Sequence, residues 1–163
     1  MKRLFSMILT SVLIFSLFGC KSQEDTVQFY YLRKDYVSGG ENSMISPEDR
    51  EITSNRGLNY LLRVYLEGPV SGELVSPFPR GLYLLNAQLD NGTLTLVLSR
   101  ELCALQGIEL TLALGCLAQT SFSLTDAAHV QINSTADDDS LSVIVHRDSF
   151  ILLDEITLPD TTE

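Results

Sequence analysis

The sequence predicts an α+β fold. Three observations carry this prediction: an amphipathic helix that stops at a Gly-Pro pair, a hairpin signalled by Asn-Gly, and later stretches of alternating apolar and polar residues. A second, more apolar helix lies between the hairpin and those stretches. With 163 residues, the chain is long enough for one domain with one sizeable core.

One apolar stripe predicts the first helix. Its members have the i, i+3, i+4, i+7 and i+8 spacing of one helical face: Leu58, Leu61, Leu62, Tyr65 and Leu66. Ser54 or Asn55 can accept a backbone N–H as the N-cap. Gly68 can adopt the left-handed conformation that ends a helix, and Pro69 cannot continue one. Asn59 falls on the opposite side of the helix, which we expect to face water.

A stiff loop, S-P-F-P-R-G at residues 76–81, leads into the hairpin. Its prolines fix φ and push each preceding residue towards extended geometry. We expect strands over Leu82 to Leu89 and Thr93 to Leu98, joined by a two-residue turn at Asn91-Gly92. That turn sets a register in which apolar residues face one another: Leu89 with Leu94, Ala87 with Leu96, and Leu85 with Leu98.

Two strands are predicted before the first helix. Val27 to Arg33 has the β-branched and aromatic residues that favour a strand. Ser43 to Ile52 is a weaker strand, and Pro47 within it is typical of the edge of a sheet.

A second helix is predicted after the hairpin. Ser99 can cap a short helical turn, and the helix itself follows over Ile108 to Thr120. Leu112 and Cys116 widen its apolar stripe beyond one face, which indicates burial on two sides. Either a later element of the chain or a partner protein covers the second side.

Alternating residues predict the remaining strands. One runs over Ala128 to Asn133, and the next contains Leu141, Val143 and Val145. Phe150 to Leu153 has the composition of a short final strand.

The chain is strongly acidic. It carries 11 basic and 21 acidic residues, a formal net charge of −10. Removal of Lys2 and Arg3 with a leader leaves 9 basic residues against 21 acidic ones, a net charge of −12. A surface of that sign repels phosphate backbones and anionic lipid. It therefore argues against a nucleic-acid partner and against a polybasic contact with the membrane.

The N-terminus is typical of a secretory signal, since Lys2 and Arg3 precede an apolar run over residues 4–18. This run of 15 residues is shorter than the stretch of about 20 residues that a transmembrane helix needs. The run ends in L-F-G-C at residues 17–20, which resembles the lipobox of bacterial lipoproteins. The resemblance implies cleavage before Cys20 and a diacylglyceryl group on its sulfur, which anchors the chain on the extracytoplasmic face of the membrane. A plain signal peptide or an uncleaved short anchor is the alternative.

Several short motifs follow one another in an order that is typical of one known family. The segments are M-I-S-P-E-D-R at 44–50, L-E-G-P at 66–69 and V-Q-I at 130–132, and the individual motif residues are Gly68, Pro69, Ser76, Pro77, Pro79, Gly81, Asn91, Gly92 and Ser99. This arrangement resembles the GerMN domain of sporulation and spore-germination lipoproteins. The resemblance implies an α+β unit with two helices on one face of a mixed or antiparallel sheet. It also implies a non-catalytic module that binds envelope proteins, with a homo-oligomer left open.

The resemblance and the leader together predict the layout of the chain. Residues 1–19 are a lipoprotein signal peptide, and residues 20–26 are a tether. The GerMN domain covers residues 27–134, and residues 135–158 are a C-terminal strand extension of the same domain. Residues 159–163 are expected to be a disordered tail.

The cysteines and histidines have structural interpretations. Cys103 and Cys116 remain once Cys20 is lipidated, and outside the cytoplasm they could form a disulfide. Two free thiols in apolar helical surroundings are the interpretation we favour. His129 and His146 fall on the polar side of predicted strands, without the ligand spacing of a zinc site.

No reactive constellation is evident in the sequence. It has no Gly-x-Ser-x-Gly nucleophile elbow and no phosphate-binding glycine loop. The aspartate run at residues 137–139 lacks the ligand spacing of a calcium loop. We therefore expect no catalytic residue, no cofactor, no metal and no enzymatic activity.

An alternative function is the capture of a small ligand or a cell-wall fragment. Phe29, Tyr30, Tyr31 and Tyr83 would supply its stacking surface. A cavity of a few hundred Å³ lined by these rings would favour this alternative.

Overall fold

Two β-sheets and two α-helices form the described part of the chain. The structure is a computed structural model, and it describes residues 24–35, 43–53, 56–135 and 140–149. The leader with Cys20, the aspartate turn at 137–139 and the predicted strand at 150–153 lie outside these ranges.

The first sheet has three strands in the order β2-β1-β3. Strand β1 (Glu24–Arg33) pairs antiparallel with β2 (Ile45–Thr53) on one side and with the short β3 (Leu74–Val75) on the other. Strand β2 is therefore an edge strand, as predicted. Strand β1 begins inside the predicted tether rather than at residue 27, because Glu24 already pairs with Thr53.

The second sheet has four strands in the order β4-β5-β6-β7. They are β4 (Leu84–Asp90), β5 (Thr93–Leu98), β6 (His129–Thr135) and β7 (Ser140–His146). Strands β5 and β6 run parallel, and the other neighbours run antiparallel. The predicted α+β class is confirmed. The strands divide between two sheets where one sheet was expected, because β2 and β3 occupy both sides of β1.

Helix α1 (Leu58–Leu66) ends as the sequence predicts. Gly68 has a φ of 103°, and its N–H donates to the carbonyl of Tyr65 at 3.1 Å. The start differs from the prediction, because the N-cap position is Gly57, which has no side chain to accept a hydrogen bond.

Helix α2 (Gly107–Leu124) follows a short 3-10 helix (Arg100–Ala104) and extends four residues beyond the predicted end at Thr120. It connects the parallel strands β5 and β6, which need a crossover of this kind. It packs against β1 of the first sheet and β6 of the second, so elements of this chain cover both of its sides. By length and composition α2 could cross a membrane, but a core helix passes the same test.

The core lies between the two sheets and the two helices. Its fully buried apolar side chains come from every major element except β2, β4 and β7: Phe29, Tyr31, Leu62, Tyr65, Leu94, Leu96, Leu98, Leu102, Ala113, Cys116, Leu117, Ala118, Ala127, Val130 and Ile132. Val130 and Ile132 alternate along β6, and both point into this core.

The hairpin between β4 and β5 keeps the predicted register from the turn as far as the pair of Asn86 with Val97. Asn91 and Gly92 have φ values of 48° and 77°, as a tight hairpin turn requires, and the pairs nearest the turn are those predicted. The predicted pair of Leu85 with Leu98 is wrong. A bulge inserts Leu85 as an extra residue, so Leu84 faces Leu98 and the Leu85 side chain is 53% exposed.

Candidate functional site: motif loops and surface grooves

Asn59 closes the outer edge of strand β4. Its side-chain amide donates to the Ala87 carbonyl at 3.0 Å, and its Oδ1 accepts the Ala87 N–H at 2.9 Å. These two bonds satisfy backbone groups that face away from β5 on an edge strand. The expectation that Asn59 faces water is therefore wrong, because β4 passes beside that side of α1.

A charged pair from β2 clamps the Gly68-Pro69 turn. Glu48 Oε1 accepts the N–H groups of Val70 at 2.9 Å and Ser71 at 2.6 Å. Arg50 forms an ion pair with Glu48 at 2.6 Å and donates to the Gly68 carbonyl at 3.2 Å. The Glu48 and Arg50 side chains are only 9% and 18% exposed, so this pair links β2 to the loop in largely water-free surroundings.

The pKa of Glu48 reflects this arrangement. Burial favours the neutral acid, but the hydrogen bonds from Arg50 and from the backbone of Ser71 outweigh it and lower the pKa of Glu48. The carboxylate is therefore the form that holds the turn.

The proline loop is held by the aromatic core. Phe78 packs edge-on against the Tyr65 ring, with 5.3 Å between ring centroids. Ser76 Oγ accepts the Phe78 N–H at 3.3 Å, and the Leu82 N–H donates to the Pro79 carbonyl at 3.2 Å. Gly81, with a φ of 85°, then turns the chain towards β4.

The two remaining motif positions hold strand ends together. The Gly92 carbonyl accepts the N–H groups of Ala128 at 2.8 Å and His129 at 3.2 Å, which joins the hairpin turn to the start of β6. Ser99 Oγ accepts the Tyr83 N–H at 3.0 Å rather than capping the 3-10 helix. The Ser99 carbonyl accepts the Ser134 hydroxyl at 2.8 Å. The motif residues therefore stabilise separate contacts between elements of the fold.

The aromatic residues proposed as a stacking surface do not lie together. Phe29 and Tyr31 are fully buried beside Tyr65, whereas Tyr83 is 56% exposed on the segment before β4. Tyr30 is half-buried on the opposite face of β1 from Phe29 and Tyr31. The alternation of a strand separates these rings, so the alternative function loses the surface on which it depends.

Two tyrosine hydroxyls link helix α1 to β1. Tyr31 donates to the Tyr65 carbonyl at 2.7 Å, and Tyr65 donates to the Tyr30 carbonyl at 2.9 Å. The Tyr30 N–H in turn donates to Thr120 Oγ1 on α2 at 2.9 Å. Burial raises the pKa of both Tyr31 and Tyr65, so these phenols remain neutral hydrogen-bond donors.

Cys103 and Cys116 are free thiols in this structure. The half-buried Cys103 contacts Ser134 Oγ at 3.4 Å. Cys116 is fully buried in α2, and that burial raises the pKa of its thiol to about 12. A thiol of this kind is an unreactive core residue.

His129 and His146 face each other across β6 and β7, with 4.5 Å between ring centroids. His146 is exposed as predicted, whereas His129 is half-buried. Within the described residues, no three His, Cys, Asp or Glu side chains are grouped as metal ligands.

A groove with a volume of about 810 Å³ lies between α1, β4 and the end of α2. Its walls combine the apolar Leu58, Leu89 and Leu124 with the polar Ser123 and Asp126. Leu89 is 42% exposed, because β4 is the edge of the sheet.

A second groove of about 410 Å³ includes Gln28, Tyr30 and Arg147. The Arg147 guanidinium donates to the carbonyls of Phe122, Thr125 and Ala127 at 3.1, 2.8 and 2.8 Å. This cation therefore satisfies carbonyls at the C-terminal end of α2.

Comparison with solved structures identifies the fold. The tandem GerMN domains of the sporulation protein GerM from Bacillus subtilis match with a TM-score of 0.56 at 14% identity. The match covers 74% of this chain and 42% of that tandem chain. The chain has a GerMN-type fold. The resemblance of its motifs is thus confirmed at the level of the fold.

A structure of a Clostridium perfringens protein, designated a candidate lipoprotein, matches with a TM-score of 0.46 at 15% identity. That match covers 80% of this chain and 92% of the other. No family model matches the sequence. No curated protein matches it either.

Proposed function

We propose that the chain is a lipid-anchored lipoprotein on the extracytoplasmic face of the cell membrane, and that its GerMN-type domain binds another envelope protein without catalysis. The observation that carries this proposal is that polar side chains of the described part are engaged in structural hydrogen bonds. Glu48, Arg50, Asn59 and Arg147 all bond to backbone groups of their own chain. The groove between α1, β4 and the end of α2 is instead open, and its lining includes the partly exposed apolar side chains of Leu58, Leu89 and Leu124, which a protein partner can cover.

The anchor would hold the domain close to the bilayer. Only residues 21–23 lie between Cys20 and the start of β1, a span of about 15 Å when extended. A partner would therefore be another protein at or near the same membrane surface.

Metabolic labelling with a fatty acid tests the anchor in the full-length chain. We expect the wild type to carry label and to sediment with membranes, and Cys20→Ser to lose both properties. Cys103→Ser is the matched control and should keep both. Label that persists in Cys20→Ser, or is missing from the wild type, would contradict the anchor and leave the interaction proposal standing.

Site-specific photo-crosslinking tests the interaction. Two variants of the full-length chain, each in its own cell envelope, carry a photoreactive residue. In one variant it replaces Leu89 in the groove. In the other it replaces Val70, which is 77% exposed on the loop after α1. We expect a discrete protein adduct from position 89 and none from position 70. Equal adducts at both positions, or none at 89, would argue against a partner in the groove.

A role in sporulation or spore germination is the finest part of the proposal. It is supported by the motif resemblance and by the GerMN-type fold. Deletion of the gene that encodes this chain is expected to reduce the yield of heat-resistant spores or their germination. Unchanged yield and germination would remove this role without affecting the envelope proposal.

A further inference from the structure

Three of the four sheet edges in the described part carry features that discourage pairing with another strand. Edge β2 contains Pro47 and the charged run at 48–51, and edge β3 is only two residues long. Edge β4 has the bulge at Leu85 and the side chain of Asn59 bonded to its backbone. Proline, charge, short length, bulges and covering side chains are the means by which proteins prevent edge-to-edge association.

Strand β7, the remaining edge, has none of these features. Its sequence S-L-S-V-I-V-H contains no proline, lysine, arginine, aspartate or glutamate. Its ladder with β6 runs without a register shift from Ser140 to His146. Residues of this type have high β-propensity, so β7 is well suited to accept a further strand.

The phase of the ladder shows which backbone groups of β7 point outward. The Arg147 N–H donates to the Ala128 carbonyl at 3.0 Å, so these two residues form a hydrogen-bonded pair at the end of the ladder. Because such pairs alternate along antiparallel strands, Leu141, Val143 and Val145 bond to β6. The N–H and C=O groups of Ser142 and Ile144 therefore point away from the sheet.

We propose that β7 pairs antiparallel with β7 of a second copy of this chain, which joins two four-stranded sheets into one continuous sheet across a two-fold axis. This surface goes beyond the proposed function and depends on neither the lipid nor the groove. The pairing is centred on Val143, which lies opposite its own counterpart, with Ser142 opposite Ile144 of the second copy. The outward groups of Ser142 and Ile144 supply the hydrogen bonds.

The side chains of β7 fit a second copy in this register. Leu141 and Val145 would lie opposite each other on the inner face, together with the Val143 pair. These three residues are half-buried, whereas Val130 and Ile132 on the adjacent strand are fully buried. Pairing would therefore cover apolar surface that the chain itself leaves partly exposed.

The charge of the chain also favours this edge for self-association. Two copies without the leader carry a formal net charge of −12 each and repel one another, so an interface between them needs a surface without acidic residues. The strand offers one, with His146 as its only ionisable side chain. Higher salt should strengthen the dimer, because it screens the repulsion between the two bodies. One strand pair is small beside a standard interface, so we expect a dissociation constant on the order of 10⁻⁴ M.

Sedimentation equilibrium tests the association. The chain from Lys21 to Glu163 contains every described element, and a reducing agent keeps Cys103 and Cys116 from cross-linking. We expect reversible dimerisation that tightens when salt is raised. Ile144→Pro removes an outward N–H while sparing the ladder with β6, and should weaken dimerisation at least about tenfold. Ile144→Thr keeps that N–H and is the matched control, which should still dimerise.

Cysteine cross-linking tests the register. In the proposed pairing, residue 143 meets its counterpart at a non-hydrogen-bonded position, with about 4.5 Å between Cα atoms. Val143→Cys should therefore form a disulfide dimer on mild oxidation. Ser140→Cys lies about 20 Å from its counterpart, since six residues of strand separate the two positions. It should give no more dimer than the wild type.

Three kinds of result would overturn the proposal. The first is a wild-type chain that stays monomeric up to about 1 mM at both low and high salt. The second is dimerisation that Ile144→Pro leaves unchanged, or cross-linking that is equal at positions 140 and 143. The third is a dimer that appears only after residues 150–163 are removed, because the chain's own C-terminal segment would then be the occupant of the β7 edge.

Discussion

The two edge strands of the second sheet, β4 and β7, differ in whether a neighbouring side chain bonds their outward backbone groups. On β4, a bulge displaces Leu85, and the amide of Asn59 bonds to the N–H and the carbonyl of Ala87. On β7, the backbone groups of Ser142 and Ile144 point outward from an uncharged, regular strand. An edge is thus closed by a neighbouring element that satisfies its backbone, and it stays available for association where no such element is present.

The charged pair on edge strand β2 of the first sheet extends this comparison, and breaking it should have the largest effect on stability. Arg50→Leu leaves the Glu48 carboxylate and the Gly68 carbonyl without their cation in surroundings that are mostly closed to water. We expect a loss of about 3 kcal/mol in the free energy of unfolding, measured by urea denaturation. Arg63→Leu, on the exposed side of α1, should change it by less than about 0.5 kcal/mol. A loss of that small size for Arg50→Leu would show that the clamp contributes little.

The closed β4 edge should be the next most sensitive site. Asn59→Ala leaves the Ala87 N–H and carbonyl without their partner, at a cost of about 2 kcal/mol. Asn59→Asp keeps the acceptor for the Ala87 N–H and should lose less. Because the edge is also opened, Asn59→Ala should self-associate more strongly than the wild type in sedimentation. A variant that is as stable and as weakly associating as the wild type would contradict the edge-closing role.

The pH dependence of stability isolates the charged part of the β2 clamp. Because the folded state lowers the pKa of Glu48, its contribution is fully present above the pKa of the unfolded chain. It is lost as the pH falls from the pKa of the unfolded chain through the lower pKa of the folded state. Glu48→Gln should remove this part of the acid sensitivity. Glu51→Gln, an exposed position on the same strand, should retain it, and identical pH profiles for wild type and Glu48→Gln would contradict the assignment.

The smallest effect is expected at the open edge. Ile144 is 54% exposed, and its backbone N–H has no role in the ladder with β6. Ile144→Thr should therefore change the unfolding free energy by less than about 0.5 kcal/mol. A loss above about 1 kcal/mol at low protein concentration would mean that the chain itself already covers this edge.

Local signals predicted the parts of the fold in which one segment determines its own structure. Asn91-Gly92 fixed the turn and the pairing of Ala87, and Gly68 with Pro69 fixed the end of α1. The bulge at Leu85 was not predicted, because it depends on whether Leu84 or Leu85 packs into the core.

The contacts of the polar side chains could not be predicted from sequence. Periodicity placed Asn59 correctly on the side of α1 away from its apolar stripe. It could not indicate that β4, which begins well after the helix ends, would run along that side. Glu48 and the turn at residues 68–71 are likewise brought together only by tertiary structure. These long-range contacts also show whether a polar residue has a structural role or is available to bind a partner.

Residue-resolved amide hydrogen exchange tests the difference between the two edges most directly. At low protein concentration, the Ala87 amide should be protected by its bond to Asn59, and the Ser142 and Ile144 amides should exchange rapidly. Protection of those two amides should then rise with protein concentration as the second copy pairs. Strong protection of Ser142 and Ile144 at the lowest concentration, equal to that of Ala87, would contradict the account of a closed edge and an open one.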